Sequence, residues 1–84
     1  MWNDEKARRL GVTLRRLRDE RGISQEKLAH AAGITKNQVQ LIEGGRSSGR
    51  KDDTGMSNPR VATLAGLASA LDITVAELLK DAGV

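Results

Sequence analysis

Two short helix patterns follow one another in this chain with a single glycine between them. Ser24 is a suitable N-cap for the first, QEKLAHAA, which carries a leucine and several alanines for a buried side. Gly33 then supplies a residue suited to a left-handed turn. Thr35, with Gln38 three positions later, has the spacing of a capping box and predicts a second helix to about Glu43. Two helices joined by a turn of three or four residues that holds a glycine are typical of the helix-turn-helix motif.

Further helices are predicted on both sides of this pair. The segment DEKARRLGVTLRRLRDERG places leucines at helical spacing, which predicts an amphipathic helix that Gly22 ends. Asn58 and Pro59 mark the start of a fourth helix with the apolar pattern RVATLAGLASAL. The residues predicted to form its buried face are Val61, Leu64, Leu67, Ala68 and Leu71.

A second capping box, formed by Thr74 and Glu77, opens a last helix that is predicted to run to about Lys80. Between the third and fourth helices, residues 44–58 are rich in glycine, serine and charge and are predicted to form a long loop. Since 84 residues suit one domain, we predict a single, compact, all-α domain of five helices and no strands over residues 1–84.

Composition excludes several classes of function. With no cysteine, the chain can form neither disulfides nor thiolate metal sites, which fits a cytoplasmic protein. It contains no apolar run long enough for a signal peptide or a membrane span. His30 has no second His or Cys nearby, so we expect it in a solvated position rather than at a metal. No nucleophile–base pair, phosphate-binding glycine loop or paired carboxylates are found, so neither an enzyme nor a cofactor is expected.

The third helix has an unusual outer face. At about 100° per residue, Thr35, Val39 and Ile42 fall on one side and are predicted to face the core. The residues on the opposite arc are Lys36, Asn37, Gln40, Leu41 and Gly44. Lysine can donate to guanine, an amide can pair with adenine, and an aliphatic tip can touch a thymine methyl group. An amide-rich face is often only a solvated surface, but behind a capped turn, on a chain of net charge +3, it favours a duplex DNA partner.

The only aromatic residue is Trp2, so the base stacking that single strands and RNA loops require is not expected.

The last helix places Val75, Leu78 and Leu79 within one turn, more apolar side chains than one face can bury. Leu79 is therefore predicted to meet a second copy of the chain.

The chain resembles the Cro and repressor type of helix-turn-helix, also called the xenobiotic-response-element type. The similarity runs from LGVTLRRLRDERGISQEKLAHAAGITKNQVQLIEGG to NPRVATLAGLASALDITVAEL. The resemblance implies a compact, repressor-like DNA-binding domain of five helices. It also implies a transcriptional regulator, often a repressor, that binds near-palindromic operators as a homodimer.

Matching motif positions imply roles for individual residues. Gln25 would contact a phosphate or a base and brace the recognition helix. The residues that match base-reading positions are Lys36, Asn37 and Leu41. Thr35 and Arg60 match positions that contact the DNA backbone. Arg18 and Glu43 match a partly buried ion pair, and a lone glutamate at the carboxyl end of a helix does require a cation nearby.

Two matters stay open at this level. The loop before the fourth helix is longer than in compact phage repressors, and it is either a solvated insert or a segment whose Arg46, Arg50 and Lys51 reach the flanking phosphates.

The alternative function is that of an antitoxin, whose main task would be to mask a protein partner. A regulator that senses a small effector is a weaker alternative, because nothing outside the helices is large enough to form a pocket.

Overall fold

Five helices make up the described part of the chain, which comprises residues 1–48 and 55–84 of this computed structural model. The helices are α1 (Asp4–Glu20), α2 (Gln25–Ala32), α3 (Lys36–Glu43), α4 (Val61–Ala70) and α5 (Val75–Ala82). The predicted all-α fold of five helices is confirmed. The described residues contain no strand, only one isolated antiparallel bridge between Arg46 and Met56. The last helix ends two residues later than predicted.

Side-chain caps fix where the helices begin. The Ser24 hydroxyl accepts from the Lys27 N–H at 3.1 Å and opens α2, as predicted. Both predicted capping boxes are formed, by Thr35 with Gln38 at α3 and by Thr74 with Glu77 at α5. Since each box satisfies two backbone groups that a helix end leaves unpaired, these short helices begin at defined residues.

The core lies where α1 and α4 cover the pair formed by α2 and α3. α2 packs against α3 and α4, whereas α1 packs against α3 and α5. The largest fully buried side chains are Leu10, Leu14, Leu28, Val39, Leu67, Leu71 and Leu78. Each helix therefore contributes at least one large apolar side chain to a single cluster.

Two sequence predictions about buried residues are wrong. Val61 is 77% exposed, because it is the first residue of α4 and lies about 7.5 Å along the helix from Gly66, where α4 crosses the end of α2. Thr35 does not face the core but is exposed. As the N-cap of α3 it has extended backbone angles, so the helical spacing used to place it does not apply.

The long loop is closed at its base, residues 45–47 and 55–57, which we call the loop base. The Ser47 N–H donates to the Gly55 carbonyl at 3.0 Å, and the Ser57 N–H donates to the Gly45 carbonyl at 2.9 Å. The indole N–H of Trp2 donates to the buried Ser57 carbonyl at 2.7 Å. The amino-terminal segment therefore holds the loop base beside α1.

Arg50 and Lys51, which reach DNA phosphates in one of the two alternatives for this loop, lie outside the described residues. Among those that are described, no single helix has the length and apolar character to cross a membrane; α4 and α5, bent by 93°, pass that test only as a pair.

Candidate nucleic-acid interface

α3 separates an apolar side from a polar one. Val39 and Ile42 are buried in the core, as predicted. Its outer face carries the exposed side chains of Lys36, Asn37 and Gln40, with Leu41 half-buried beside them. We use "outer face" below for these four residues, which place a cation, two amides and an aliphatic tip on one side of the helix. Groups of these types can read base edges in the major groove.

The turn before α3 is fixed by backbone hydrogen bonds. Gly33 has a left-handed conformation with φ of 75°, and its N–H donates to the His30 carbonyl at 3.3 Å. The Ile34 N–H donates to the Ala29 carbonyl at 3.0 Å. These two bonds form a Schellman motif that ends α2. Ile34 packs against the core, so the direction in which the chain leaves α2 is set on both sides.

The carboxyl end of α3 is held by a buried ion pair. Arg18 of α1 donates through Nε to Glu43 Oε2 at 2.7 Å and through Nη2 to Oε1 at 3.2 Å. The two side chains are only 11% and 5% exposed. The hydrogen bonds to Glu43 raise the pKa of Arg18 above its usual value, so the guanidinium stays charged. Two parallel bonds of this kind fix orientation as well as distance.

Gln25 of α2 joins the same network. Its Nε2 donates to Glu43 Oε1 at 3.0 Å, and Arg18 Nη1 donates to the Ile23 carbonyl at 3.0 Å. The carboxylate of Glu43 therefore connects α1, α2 and α3. This geometry places Gln25 where it braces α3.

The amino end of α3 is polar and weakly paired. Lys36 Nζ lies 3.4 Å from Glu26 Oε1, with side-chain exposures of 51% and 74%. A pair so exposed contributes little, so Lys36 can exchange this partner at small cost. The first turn of α3 contains no acidic residue. An anion can therefore approach this end of the helix without meeting a carboxylate in that turn.

Two of the grooves beside α3 bring predicted contact residues together. One, of about 550 Å³, brings Leu41 together with Arg46 of the loop base and Arg60, the exposed N-cap of α4. The other brings Gln25 of α2 together with Lys36. The predicted DNA-contacting residues among those described thus lie on α3 or beside it. Thr35 is exposed at the start of the helix.

Two predicted positions lie elsewhere. Leu79 is half-buried in a separate apolar depression of about 330 Å³, where Trp2, Leu64 and Val84 also lie. His30 is exposed on α2, as predicted, and no group of three potential metal ligands occurs among the described residues. The part played by Trp2 in holding the loop base was not predicted, although its being the only aromatic residue could have indicated a special role.

Comparison with known proteins agrees with this geometry. The family described as "Helix-turn-helix domain" matches residues 9–80. The crystal structure of the restriction-modification controller protein C.AhdI from Aeromonas hydrophila is similar, with 33% identity and a TM-score of 0.72. That match covers 86% of this chain and 94% of C.AhdI.

A second similar structure is the clp gene regulator ClgR from Corynebacterium glutamicum. It has 26% identity and a TM-score of 0.77, and the match covers 93% of this chain and 72% of that one. Among curated protein sequences, none matches the chain significantly.

Proposed function

We propose that this chain, which belongs to the helix-turn-helix domain family, is a DNA-binding transcriptional regulator that represses by binding a specific operator. The observation that carries the proposal is the outer face of α3. It combines a weakly paired lysine, two exposed amides and a half-buried leucine on a helix whose far side and carboxyl end are fixed. Such a face can be held rigidly in a major groove.

The proposed contacts fall into two kinds. Lys36, Asn37, Gln40 and Leu41 read base edges, since they form the outer face. The residues proposed to contact the DNA backbone are Thr35, Arg46 and Arg60, with Arg50 and Lys51 proposed from the sequence alone. Gln25 is proposed to contact a phosphate or a base. Backbone contacts set the position of α3 on the duplex, whereas base contacts supply the sequence preference.

We further propose that two copies bind a near-palindromic operator. The support is Leu79, an apolar side chain half-buried in the depression on α5 with Val84 beside it. A two-fold pair would place two α3 helices about 34 Å apart, one turn of DNA. Footprinting should then show two protected half-sites at that spacing, and Leu79→Asp should reduce protection to weak binding of single half-sites. One unrepeated half-site, bound one-to-one by the unaltered chain, would contradict the pairing.

The proposal is tested by selecting binding sites from random duplex DNA and measuring affinity at several salt concentrations. We expect an enriched sequence and a preference for duplex over single strands. The logarithm of the affinity should fall with the logarithm of salt concentration at a slope set by roughly five to ten neutralised phosphates per dimer. No enriched sequence, a slope near zero or a preference for single strands would overturn the proposal.

A further inference from the structure

Gly11 lies in the middle of α1, a position where glycine is a poor helix former. It is buried, and a Cβ atom added there would lie 2.6 Å from the Glu43 carbonyl oxygen and 2.8 Å from the Glu43 carbonyl carbon. It would also overlap the Ile42 carbonyl oxygen. The last turn of α3 thus lies directly on the backbone of α1, with no side chain between them.

Gly66 makes the equivalent contact on α4. A Cβ atom there would overlap the Ala32 carbonyl oxygen and would lie 3.2 Å from the Ala32 carbonyl carbon. Ala32 is the last residue of α2. Both helices of the helix-turn-helix therefore end in direct backbone contact with a glycine of a supporting helix, α3 on α1 and α2 on α4.

The atoms that meet these glycines are backbone atoms. A flexible side chain could rotate away from an added methyl group, but a carbonyl in a capped helix moves only with its helix. Ordinary carbon contacts begin near 3.4 Å, so an alanine at Gly11 must displace the end of α3 by roughly 1 Å. The ion pair between Arg18 and Glu43 joins the same two helices and would be stretched by that displacement.

We infer that Gly11 and Gly66 are positioning residues that set where α3 stands relative to the rest of the domain, and thereby its sequence discrimination. Gly11 acts on α3 directly, and Gly66 acts through the end of α2, from which the turn at Gly33 leads into α3. The inference rests on the proposed function, in which α3 reads base edges. Bidentate contacts to bases tolerate little change in distance or angle. Attraction to phosphates falls off slowly with distance and is shared among many contacts, so it is much less sensitive to such a displacement.

The test compares Gly11→Ala, Gly66→Ala and the unaltered chain for affinity to the selected operator and to random duplex DNA. Measurements are made at a temperature where urea titrations show every variant to be folded. We expect the ratio of the two affinities to fall about tenfold or more in both variants, with random-DNA affinity nearly unchanged. Amide chemical shifts should move in α3 for Gly11→Ala and in α2 for Gly66→Ala.

Leu78→Val is the matched control, since it loosens the core at α5, a helix that packs mainly against α1 and α4. A ratio that stays at its original value in both glycine variants, or falls equally in Leu78→Val, would overturn the inference. If the unaltered chain itself does not discriminate, the proposed function fails instead. If Gly11→Ala does not fold, Gly66→Ala carries the test alone.

Discussion

α3 and α5 are built by the same local rules and end differently. Each has eight residues, begins with a capping box whose N-cap is threonine, and buries two side chains in the core. α5 ends at Ala82 and is followed by Gly83, a left-handed residue whose carbonyl oxygen accepts from Arg9 Nη1 at 3.4 Å in an exposed position. α3 ends at Glu43, whose carboxylate is buried and bound by residues of two other helices.

The difference shows that helix formation and helix positioning have separate causes. Capping boxes and apolar spacing are sufficient to form both helices. Only α3 has its carboxyl end fixed by a bidentate ion pair and by backbone contact with α1. A helix that reads DNA must be held in orientation as well as formed, because base contacts depend on geometry.

The largest effect is expected from breaking the ion pair that distinguishes α3. Arg18→Ala leaves Glu43, only 5% exposed, without its cation, and an uncompensated buried charge is costly. We expect the free energy of unfolding to fall by about 3 kcal/mol or more, measured by urea denaturation. Arg16→Ala is the matched control on the same helix. Its pairs with Glu20 and Asp81 are about half exposed, so their loss should cost less than about 1 kcal/mol.

A double-mutant cycle separates the pair from the rest of the network. Replacing both Arg18 and Glu43 removes the uncompensated charge, so the double variant should be more stable than the sum of the two single changes predicts. Additive effects would mean that the pair does not explain how α3 is held.

The next effect concerns DNA rather than stability. Lys36→Ala and Asn37→Ala should each cost about 1–3 kcal/mol of binding free energy on the selected operator, with little loss on random duplex DNA. Arg60→Ala should weaken binding to both alike, because a phosphate contact carries no sequence information. Lys80→Ala removes an exposed cation from α5 and should change neither affinity. If Lys36→Ala, Asn37→Ala and Arg60→Ala all lose affinity equally for the operator and for random DNA, the assignment of separate base-reading and backbone-contacting residues is wrong.

Local features of the fold were predictable from the sequence. The caps at Ser24, Thr35 and Thr74 act within three residues, and the turn at Gly33 depends on one backbone conformation. Each is a short-range interaction between residues that are close in the chain, so the sequence pattern contains its partners. The fold class and the outer face of α3 followed from these elements.

Features that depend on where helices cross were not predictable. The exposure of Val61 depends on where α4 crosses the end of α2, near Gly66, and helical spacing contains no information on that crossing. The bond from Trp2 to Ser57 joins residues far apart in the chain, and so does the contact of Gly11 with the end of α3. Arg18 and Glu43 are also far apart in the chain, and their pair was expected mainly because the chain resembles a known family.

The smallest effect concerns the two capping boxes, which differ in one respect: α5 uses Glu77 where α3 uses Gln38. The backbone N–H of Thr74 donates a hydrogen bond to the Glu77 carboxylate, and this bond lowers the pKa of that carboxyl most. A hydrogen bond with the Thr74 hydroxyl lowers the same pKa further. A carboxyl whose pKa is lowered by folding stabilises the fold above its unfolded pKa, about 4.3, and that contribution is lost as pH falls through the lower folded value. The contribution of the α5 capping box to stability should therefore depend on pH, whereas that of the α3 capping box should not.

Exchanging the two residues tests why α3 uses the neutral one. Glu77→Gln should be less stable than the unaltered chain above about pH 5, with the difference vanishing in acid, as followed by urea titration from neutral to acid pH. Gln38→Glu should add a similar pH dependence to α3, because it places a carboxylate at a helix amino end. Gln38 lines the groove that also holds Arg46 and Arg60, so this carboxylate should also weaken binding to all duplex DNA, most strongly at low salt. If Gln38→Glu binds DNA as well as the unaltered chain at every salt concentration, the amino end of α3 does not lie near phosphates, and the functional difference between α3 and α5 must come from their outer faces alone.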